Sequence, residues 1–215
     1  MIQKILIIED NTAEAIYAQA ELAKAGLRDF RTVTTLSEGL EAMPQYDAVL
    51  SDLFFPAGNI STEQYSQRFL PLYEQFKQRS FPNLGKDNAV LGAVQACADA
   101  FSITPQAWID IMAKMNTHPK TLKAARDSLS GIKDSEKYET FLKIEKGIRN
   151  GTNLPLGIIA TERAQELQIP SAIVTSTYHH DYAFEPVRDL IKVSYSDTLV
   201  DGKKDWKGGI ELLLK

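Results

Sequence analysis

The sequence predicts an α/β fold, a doubly wound sheet of five parallel strands with an all-α insertion after the third strand. Three observations lead to this fold class. Short and almost entirely apolar runs, such as "KILII" at residues 4–8, are typical of parallel strands buried on both faces. Segments with apolar residues at helical spacing alternate with these runs, and short connections favour parallel, right-handed crossovers. The alternation stops at about residue 59 and resumes after residue 154.

The first 58 residues follow the order β-α-β-α-β. After the first strand, the alanine-rich segment "TAEAIYAQAELAKAG" has helical periodicity, and its last residue, Gly26, is a suitable C-terminal cap. The next strand, helix and strand are predicted over "DFRTVTT", "LSEGLEAMPQ" and "YDAVLSD". The third strand therefore ends at Asp52 and leads directly into a loop.

The central part, residues 59–154, is predicted to be helical because it almost lacks β-branched runs and carries ordinary helix start and stop signals. Thr104 and Pro105, for example, are suitable as the N-cap and the first-turn proline of one helix. The predicted helices cover residues 62–79, 87–101, 104–116, 118–131 and 134–151.

The α/β pattern resumes at residue 155. The predicted order is a helix, a strand, a short helix, a strand and a closing helix, over "PLGIIATERAQELQIP", "SAIVTST", "YAFEPVRDL", "IKVSYSD" and "WKGGIELLLK". Joined across the central block, the pieces make five strands and five helices. We therefore predict a discontinuous α/β domain of residues 1–58 plus 155–215, with a helical insertion of residues 59–154.

Composition excludes several classes of protein. Hydrophobic residues make up 44% of the chain and charged residues 24%, and the net charge is −4. This balance gives no electrostatic reason for nucleic acid or an anionic membrane as the main partner. The single Cys97 excludes an intrachain disulfide. No leader precedes the first strand, and no run approaches the roughly 18 apolar residues of a membrane span, so we expect a cytoplasmic protein.

Carboxylates follow two of the predicted strands. Glu9 and Asp10 end the first strand, Asp52 ends the third, and Thr175 or Ser176 ends the fourth. Ligands of such sheets bind outside the carboxyl ends of the strands, near the point where the strand order switches. If the first and third strands are neighbours, the three carboxylates converge and repel unless a cation neutralises them or some stay protonated. Hard oxygen ligands in an open, water-containing site favour Mg²⁺.

A carboxylate beside such a metal can act as a nucleophile toward phosphorus and form an acyl phosphate. A structural interpretation competes with this one, because acids after strands are common helix N-caps, and Asp10 or Asn11 could cap the first helix. The combination of an acidic pair, a third acid and a hydroxyl after three separate strands favours a functional site.

These segments resemble the receiver domain of two-component response regulators. "KILIIEDN" resembles the first strand of the family with its acidic pair, and "DAVLSDLFFP" resembles the phosphoacceptor segment, including Pro56. "IPSAIVTST" resembles the fourth strand with its switch hydroxyl. The resemblance covers residues 1–58 and 155–215 and implies the flavodoxin-like receiver fold.

The resemblance also implies a function, Mg²⁺-dependent phosphoryl acceptance on Asp52 in signal transduction, and not turnover of a substrate. Thr175 would be the switch hydroxyl, with Ser176 as the alternative. The implied Mg²⁺ ligands are the side chains of Glu9, Asp10 and Asp52 and the backbone carbonyl of Phe54. A histidine kinase or phosphotransfer protein would be the donor. Output would be through protein contact, by the helical insertion or a homodimer, without a nucleic-acid or membrane partner.

Two features depart from the family. Receivers carry a lysine, usually followed by proline, at the end of the fifth strand, whereas "IKVSYSDTLVDG" has no such pair. Lys192 lies near the start of that strand. Lys203 or Lys204 would reach the site only if the following loop folds back, so we expect ordinary solvated lysines there. The second departure is the helical insertion, which occupies the loop after the acceptor.

Two other functions stay open. A pseudo-receiver would keep the fold as a protein-interaction module that is not phosphorylated, and the missing lysine favours it. A Mg²⁺-dependent phosphohydrolase would use Asp52 as its nucleophile. Haloacid-dehalogenase-type phosphatases carry a second aspartate two residues after the nucleophile, a position occupied here by Phe54.

Overall fold

The structure, a computed structural model, describes residues 2–81, 96–115, 137–138, 140–178 and 180–214. The predicted helix at 118–131 lies outside the described residues, as do residues 87–95 of the predicted helix at 87–101.

A five-stranded, all-parallel sheet confirms the predicted fold class. The strand order is β2-β1-β3-β4-β5, so the first and third strands are neighbours and the order switches between them. The strands are β1 Lys4–Ile8, β2 Asp29–Val33, β3 Ala48–Ser51, β4 Ser171–Val174 and β5 Ser194–Ser196. A helical segment follows β3 before the chain returns to the sheet, as predicted.

Helices cover both faces of the sheet. Their bounds are α1 Thr12–Lys24, α2 Leu36–Ala42, α3 Glu63–Ser80, α4 Pro105–Lys114, α5 Leu156–Glu166 and α6 Trp206–Leu213, with 3₁₀ helices at Met43–Gln45 and Glu185–Leu190. Helices α1 and α6 share a buried core with β1, β3 and β4, and Trp206 of α6 is a fully buried member of it. Helix α2 packs on β1, and α5 packs on β3 and β4. The central strands are therefore buried on both faces, which is why they are almost entirely apolar.

Local signals start and end several helices as predicted. Gly26 follows α1 with a φ of 83°, a left-handed conformation that glycine adopts without steric cost. Thr104 caps α4, where its hydroxyl accepts a hydrogen bond from the Ala107 N–H at 3.2 Å, and Pro105 occupies the first turn.

The chain divides into two compact units. The first comprises Met1–Glu74 and Ile144–Lys215, and the second comprises Gln75–Lys143. The first unit therefore also includes residues 59–74 and 144–154, which were predicted to belong to the insertion. The second unit has an aromatic cluster of its own, in which the Phe76 and Phe141 rings stack with centroids 5.6 Å apart.

A short hairpin follows β5 and was not predicted. Its strands, β6 Leu199–Val200 and β7 Lys203–Lys204, pair in antiparallel fashion. Asp201 and Gly202 form the turn, with φ angles of 52° and 75°. Two consecutive positive φ angles are characteristic of the type I′ turn, which Asp-Gly pairs favour. The hairpin turns the chain back before α6 begins.

Within the described ranges, no helix combines the length and the apolar character that a membrane crossing requires.

Candidate functional site

Three carboxylates meet at the switch point of the sheet, where β1 and β3 end side by side. Glu9 and Asp10 follow β1, and Asp52 follows β3. One ligand oxygen from each of the three lies within 4.8 Å of the others. Because opposed carboxylates at this distance repel, the cluster suits a bound cation, and these three residues could hold a metal ion.

Hydrogen bonds with backbone groups fix the position of Asp52 and the orientation of its carboxylate. Its N–H donates to the Ile8 carbonyl at 2.9 Å, which extends the pairing of β1 and β3 by one residue. Its Oδ1 accepts a hydrogen bond from the Leu53 N–H at 2.7 Å. The carboxylate is therefore held at the end of a buried strand, and only 7% of the residue is exposed.

The two acids after β1 have different environments. Glu9 is 1% exposed, and its Oε1 accepts a hydrogen bond from the Asn11 N–H at 2.9 Å. Asp10 is exposed. The N-cap of α1 is Asn11, whose Oδ1 accepts from the Ala13 and Glu14 N–H groups at 3.0 and 3.3 Å. The capping interpretation is therefore right for Asn11 and wrong for Asp10.

The expectation that Lys204 is a solvated lysine is wrong. The hairpin folds back over the site, and Lys204 is only 4% exposed. Its Nζ lies 2.8 Å from Asp52 Oδ2 and 2.5 Å from Glu9 Oε2. The neighbouring Lys203 is exposed, as predicted, and its Nζ lies 4.5 Å from the centre of the Tyr17 ring. Successive residues of a strand face opposite sides, so only one of the two lysines can enter the site.

Thr175 and Ser176, the two candidates for the switch hydroxyl, differ in burial and in their position relative to Asp52. Thr175 is 1% exposed, and its hydroxyl lies near enough to the Asp52 carboxylate to favour the ionised form of that group, which lowers its pKa slightly. The same Oγ1 accepts a hydrogen bond from the Thr177 N–H at 3.2 Å. Ser176 points into solvent. Phe54 lies half-buried in the loop after Asp52. The binding of Mg²⁺ by its backbone carbonyl stays a prediction.

Burial and charge govern the protonation of the cluster. Burial, followed by the negative charge of Asp52, raises the pKa of Glu9 from 4.5 to about 7. Burial also raises the pKa of Asp52, and the charge of Lys204 offsets this only in part. Burial lowers the pKa of Lys204, but the charges of Asp52 and Glu9 outweigh it, so this pKa lies above its ordinary value. One ammonium group balances one carboxylate, and the second buried carboxylate is left without a counterion.

Gly157 of α5 packs against the backbone of the Asp52 loop. Its N–H donates to the Leu53 carbonyl at 3.0 Å. A Cβ atom built on Gly157 would lie 2.2 Å from the Asp52 carbonyl oxygen and 2.9 Å from the Leu53 Cα. This close approach requires glycine and links the start of α5 to the loop that carries the carboxylate.

Comparison with protein-family models, with curated proteins and with solved structures finds no match to this chain. The geometry of the site is therefore the basis for inferring its function.

Lys204 and Gly157 are the site residues that sequence reasoning missed. The pair Asp201-Gly202 between "LV" and "KK" is a hairpin signal, and it could have indicated that the chain turns back before the last helix. No sequence signal distinguishes Gly157 from other helical glycines, because the atoms it contacts lie about a hundred residues earlier in the chain.

The metal-free protein is expected to lose stability as the pH rises, because of Glu9. The folded protein holds the Glu9 proton up to about pH 7, whereas the unfolded chain releases it near pH 4.5. The stabilisation is therefore complete below pH 4.5 and is lost as the pH rises through about 7. The loss is on the order of 3 kcal/mol in the free energy of unfolding.

Glu9→Gln should remove most of this loss, because the amide does not titrate in that range. Urea unfolding without divalent cations, measured from pH 4.5 to 8 on both proteins, tests this expectation. The two stability profiles should diverge as the pH rises, with the variant more stable above about pH 7. Parallel profiles would contradict the effect of burial on Glu9.

Proposed function

We propose that this chain is a receiver-like signalling protein that accepts a phosphoryl group on Asp52 in the presence of Mg²⁺. The observation that carries the proposal is the ion pair of Lys204 with Asp52, at 2.8 Å. A cation beside the acceptor carboxylate is the feature that the fifth strand itself lacks. The hairpin supplies it from eight residues beyond Ser196, the last residue of β5.

In the proposed reaction, an Asp52 carboxylate oxygen attacks the phosphorus of the donor. A new bond forms between that oxygen and phosphorus, and the bond from phosphorus to the donor breaks. The electron pair of the broken bond leaves with the donor group, which is an imidazole nitrogen for a phosphohistidine and a carboxylate oxygen for an acyl phosphate. The product is an aspartyl phosphate.

The site residues suit this reaction in three ways. Lys204 offsets part of the cost of an anionic Asp52 in a buried place, and its ammonium group can then pair with the transferred phosphoryl oxygens. The Leu53 N–H holds one carboxylate oxygen in place. The Thr175 hydroxyl lies near the Asp52 carboxylate and can turn to donate to the phosphoryl group, which supports its proposed role as the switch residue.

Mg²⁺ fits the donor set of Glu9, Asp10 and Asp52, with the Phe54 carbonyl as a further proposed ligand. These are oxygen donors, and Asp10 faces solvent, which suits an ion that keeps several of its waters. When bound, the ion would offset the negative charge of the phosphoryl oxygens. Three carboxylates and one ammonium group leave two negative charges uncompensated, which also matches a divalent cation.

The proposed donor is a histidine kinase or a phosphotransfer protein. The proposed output is through protein contact, by the helical insertion or by a second copy of the chain. These assignments follow from the proposed reaction and from the resemblance of the strand-end motifs to receivers.

Intact-mass analysis after incubation with Mg²⁺ and acetyl phosphate tests the proposal. The wild type should gain the mass of one phosphoryl group, and the adduct should be labile at high pH. Asp52→Asn should show no adduct, because the amide oxygen is a poor nucleophile. Asp29→Asn is the matched control, since Asp29 is an exposed aspartate at the opposite end of the sheet, and it should be phosphorylated like the wild type.

One observation favours a second candidate, a pseudo-receiver that binds partners without being phosphorylated. Glu9, Asp52 and Lys204 are all less than 10% exposed and already neutralise one another in part. Such a network can be purely structural. Absence of an adduct together with absence of Mg²⁺ binding in calorimetry would overturn the phosphoacceptor proposal in favour of this candidate.

A further inference from the structure

Glu14, in the first turn of α1, contacts the segment that carries Lys204. Its Oε2 accepts a hydrogen bond from the Trp206 Nε1–H at 3.0 Å and one from the Lys204 backbone N–H at 3.3 Å. These partners lie 190 and 192 residues further along the chain. The other oxygen, Oε1, also accepts from the Lys204 N–H, at 3.5 Å. The Glu14 carboxylate therefore ties the start of α1 to β7 and to the start of α6.

The hairpin needs such an anchor to hold Lys204 in place. Its two strands have two residues each, and isolated hairpins are marginally stable in water even when they are longer. The described residues show two polar anchors at its base. Glu14 binds the Lys204 backbone, while Asp205 caps α6 through the Gly208 N–H at 2.9 Å and accepts from the Ser196 hydroxyl at 3.2 Å.

The two anchors restrain different parts of the segment. Asp205 fixes the junction between β5 and α6, one residue beyond Lys204. Glu14 acts on the Lys204 peptide group itself, from the helix that follows the acidic pair. The Lys204 side chain then runs from a fixed backbone to Glu9 and Asp52.

We propose that Glu14 is a positioning residue, whose carboxylate holds the β7 backbone so that Lys204 Nζ stays on Asp52 and Glu9. The inference rests on the proposed function only for its consequence in phosphoryl transfer, since the positioning itself is a property of the metal-free protein. Among the described residues, the side-chain hydrogen bonds of Glu14 go to Lys204 and Trp206 and not to Asp52, Glu9 or Asp10, so Glu14 acts through Lys204.

A purely structural role for Glu14 makes a different prediction. An acidic residue in the first turn of a helix stabilises that helix through its dipole, and this effect does not depend on Lys204. The two roles therefore separate in a double-mutant cycle between Glu14 and Lys204.

Glu14→Ala and Glu14→Gln form the test pair. Alanine is the best helix former, so α1 is retained, but both hydrogen bonds are lost. Glutamine removes the charge and keeps one carbonyl oxygen, which can accept from both the Trp206 Nε1–H and the Lys204 N–H, as Oε2 does in the wild type. The positioning role therefore predicts that Glu14→Gln behaves like the wild type and that Glu14→Ala does not.

The first readout is the rate at which an amine-reactive acetylating reagent modifies Lys204, measured by peptide mass spectrometry in the full chain without metal. Lys203 is the internal reference because it is exposed on the other side of the same strand. Glu14→Ala should raise the modification of Lys204 relative to Lys203 by about threefold or more, which corresponds to about 0.7 kcal/mol or more. An unchanged ratio would overturn the proposal.

The second readout is the Mg²⁺ affinity in the presence and absence of Lys204. A displaced ammonium group competes less for Asp52 and Glu9, so Glu14→Ala should tighten Mg²⁺ binding by about threefold. In the Lys204→Met background the same substitution should change the affinity by less than about 1.5-fold. An equal effect in both backgrounds, or a Glu14→Gln variant that matches Glu14→Ala, would contradict positioning through Lys204.

Failure of this inference is distinguishable from failure of the proposed function. Absence of a phosphoryl adduct in every variant would overturn the phosphoacceptor proposal. The acetylation of Lys204 relative to Lys203 would then still decide whether Glu14 positions Lys204. If adducts form, their rate should fall in Glu14→Ala and should not fall further when Glu14→Ala is added to Lys204→Met.

Discussion

Lys204→Met is expected to lower the free energy of unfolding of the metal-free protein at pH 8 by about 3 to 5 kcal/mol, the usual cost of breaking a buried ion pair. The lysine is 4% exposed and contacts two buried carboxylates, so its removal leaves Glu9 and Asp52 facing each other without a cation. Methionine fills a similar volume, which isolates the loss of charge from a loss of packing.

The same substitution should tighten Mg²⁺ binding by about tenfold or more, or about 1.4 kcal/mol, because no ammonium group then competes for the carboxylate oxygens. Saturating Mg²⁺ should accordingly recover much of the lost stability, since a ligand that binds only the folded state stabilises it. Chemical denaturation with and without Mg²⁺, together with calorimetry, measures both effects.

Lys203→Met is the matched control for this experiment. Lys203 precedes Lys204 in the same strand, and it is exposed, with its ammonium group over the Tyr17 ring at 4.5 Å. Its removal should cost about 0.5 to 1 kcal/mol, the range of an exposed cation–π contact. If both variants lose the same stability and bind Mg²⁺ with the same affinity, the buried ion pair does not have the role assigned to it.

Gly157→Ala is expected to destabilise the protein by about 3 kcal/mol, at the upper end of the usual cost of overpacking. The added Cβ would lie 2.2 Å from the Asp52 carbonyl oxygen, and this neighbour is backbone at the end of a central strand. It can move only if the Asp52 loop moves. The variant should therefore also bind Mg²⁺ more weakly, which links the packing defect to the site.

Gly39→Ala is the matched control for this substitution. Gly39 also lies in a helix packed on the sheet, and its added Cβ would meet the end of the Ile8 side chain, Cδ1, at 2.7 Å. That methyl group can rotate away, and alanine favours the helix by about 1 kcal/mol over glycine. Thermal unfolding should show a small change for Gly39→Ala. A loss equal to that of Gly157→Ala would contradict the argument from the Asp52 backbone.

The fold was predictable because its signals are local. The strand "KILII" carries its own evidence of burial on both faces, and Ile5, Leu6, Ile7 and Ile8 are indeed fully buried. The start and stop signals of α1 and α4 depend only on residues next to the helix ends. The acids were predictable as a group because they follow strands that must end at the same edge of a parallel sheet.

The choice between neighbouring residues was not predictable. Thr175 and Ser176 differ little in chemistry, and only the end of β4 decides that Thr175 lies beside Asp52 while Ser176 faces solvent. The same holds for Asp10 and Asn11 as caps of α1, since both residues have a side-chain oxygen that can accept from the first turn.

Local sequence patterns are enough to predict the parallel sheet and the insertion after the third strand, and they place Glu9, Asp10 and Asp52 at one edge once β1 and β3 are neighbours. The charge balance of that edge depends instead on tertiary contacts. Lys204 reaches Asp52 because a type I′ turn reverses the chain after β5 and because Glu14, 190 residues earlier, binds its backbone. Periodicity and caps report on near neighbours, whereas a buried ion pair depends on where distant segments meet.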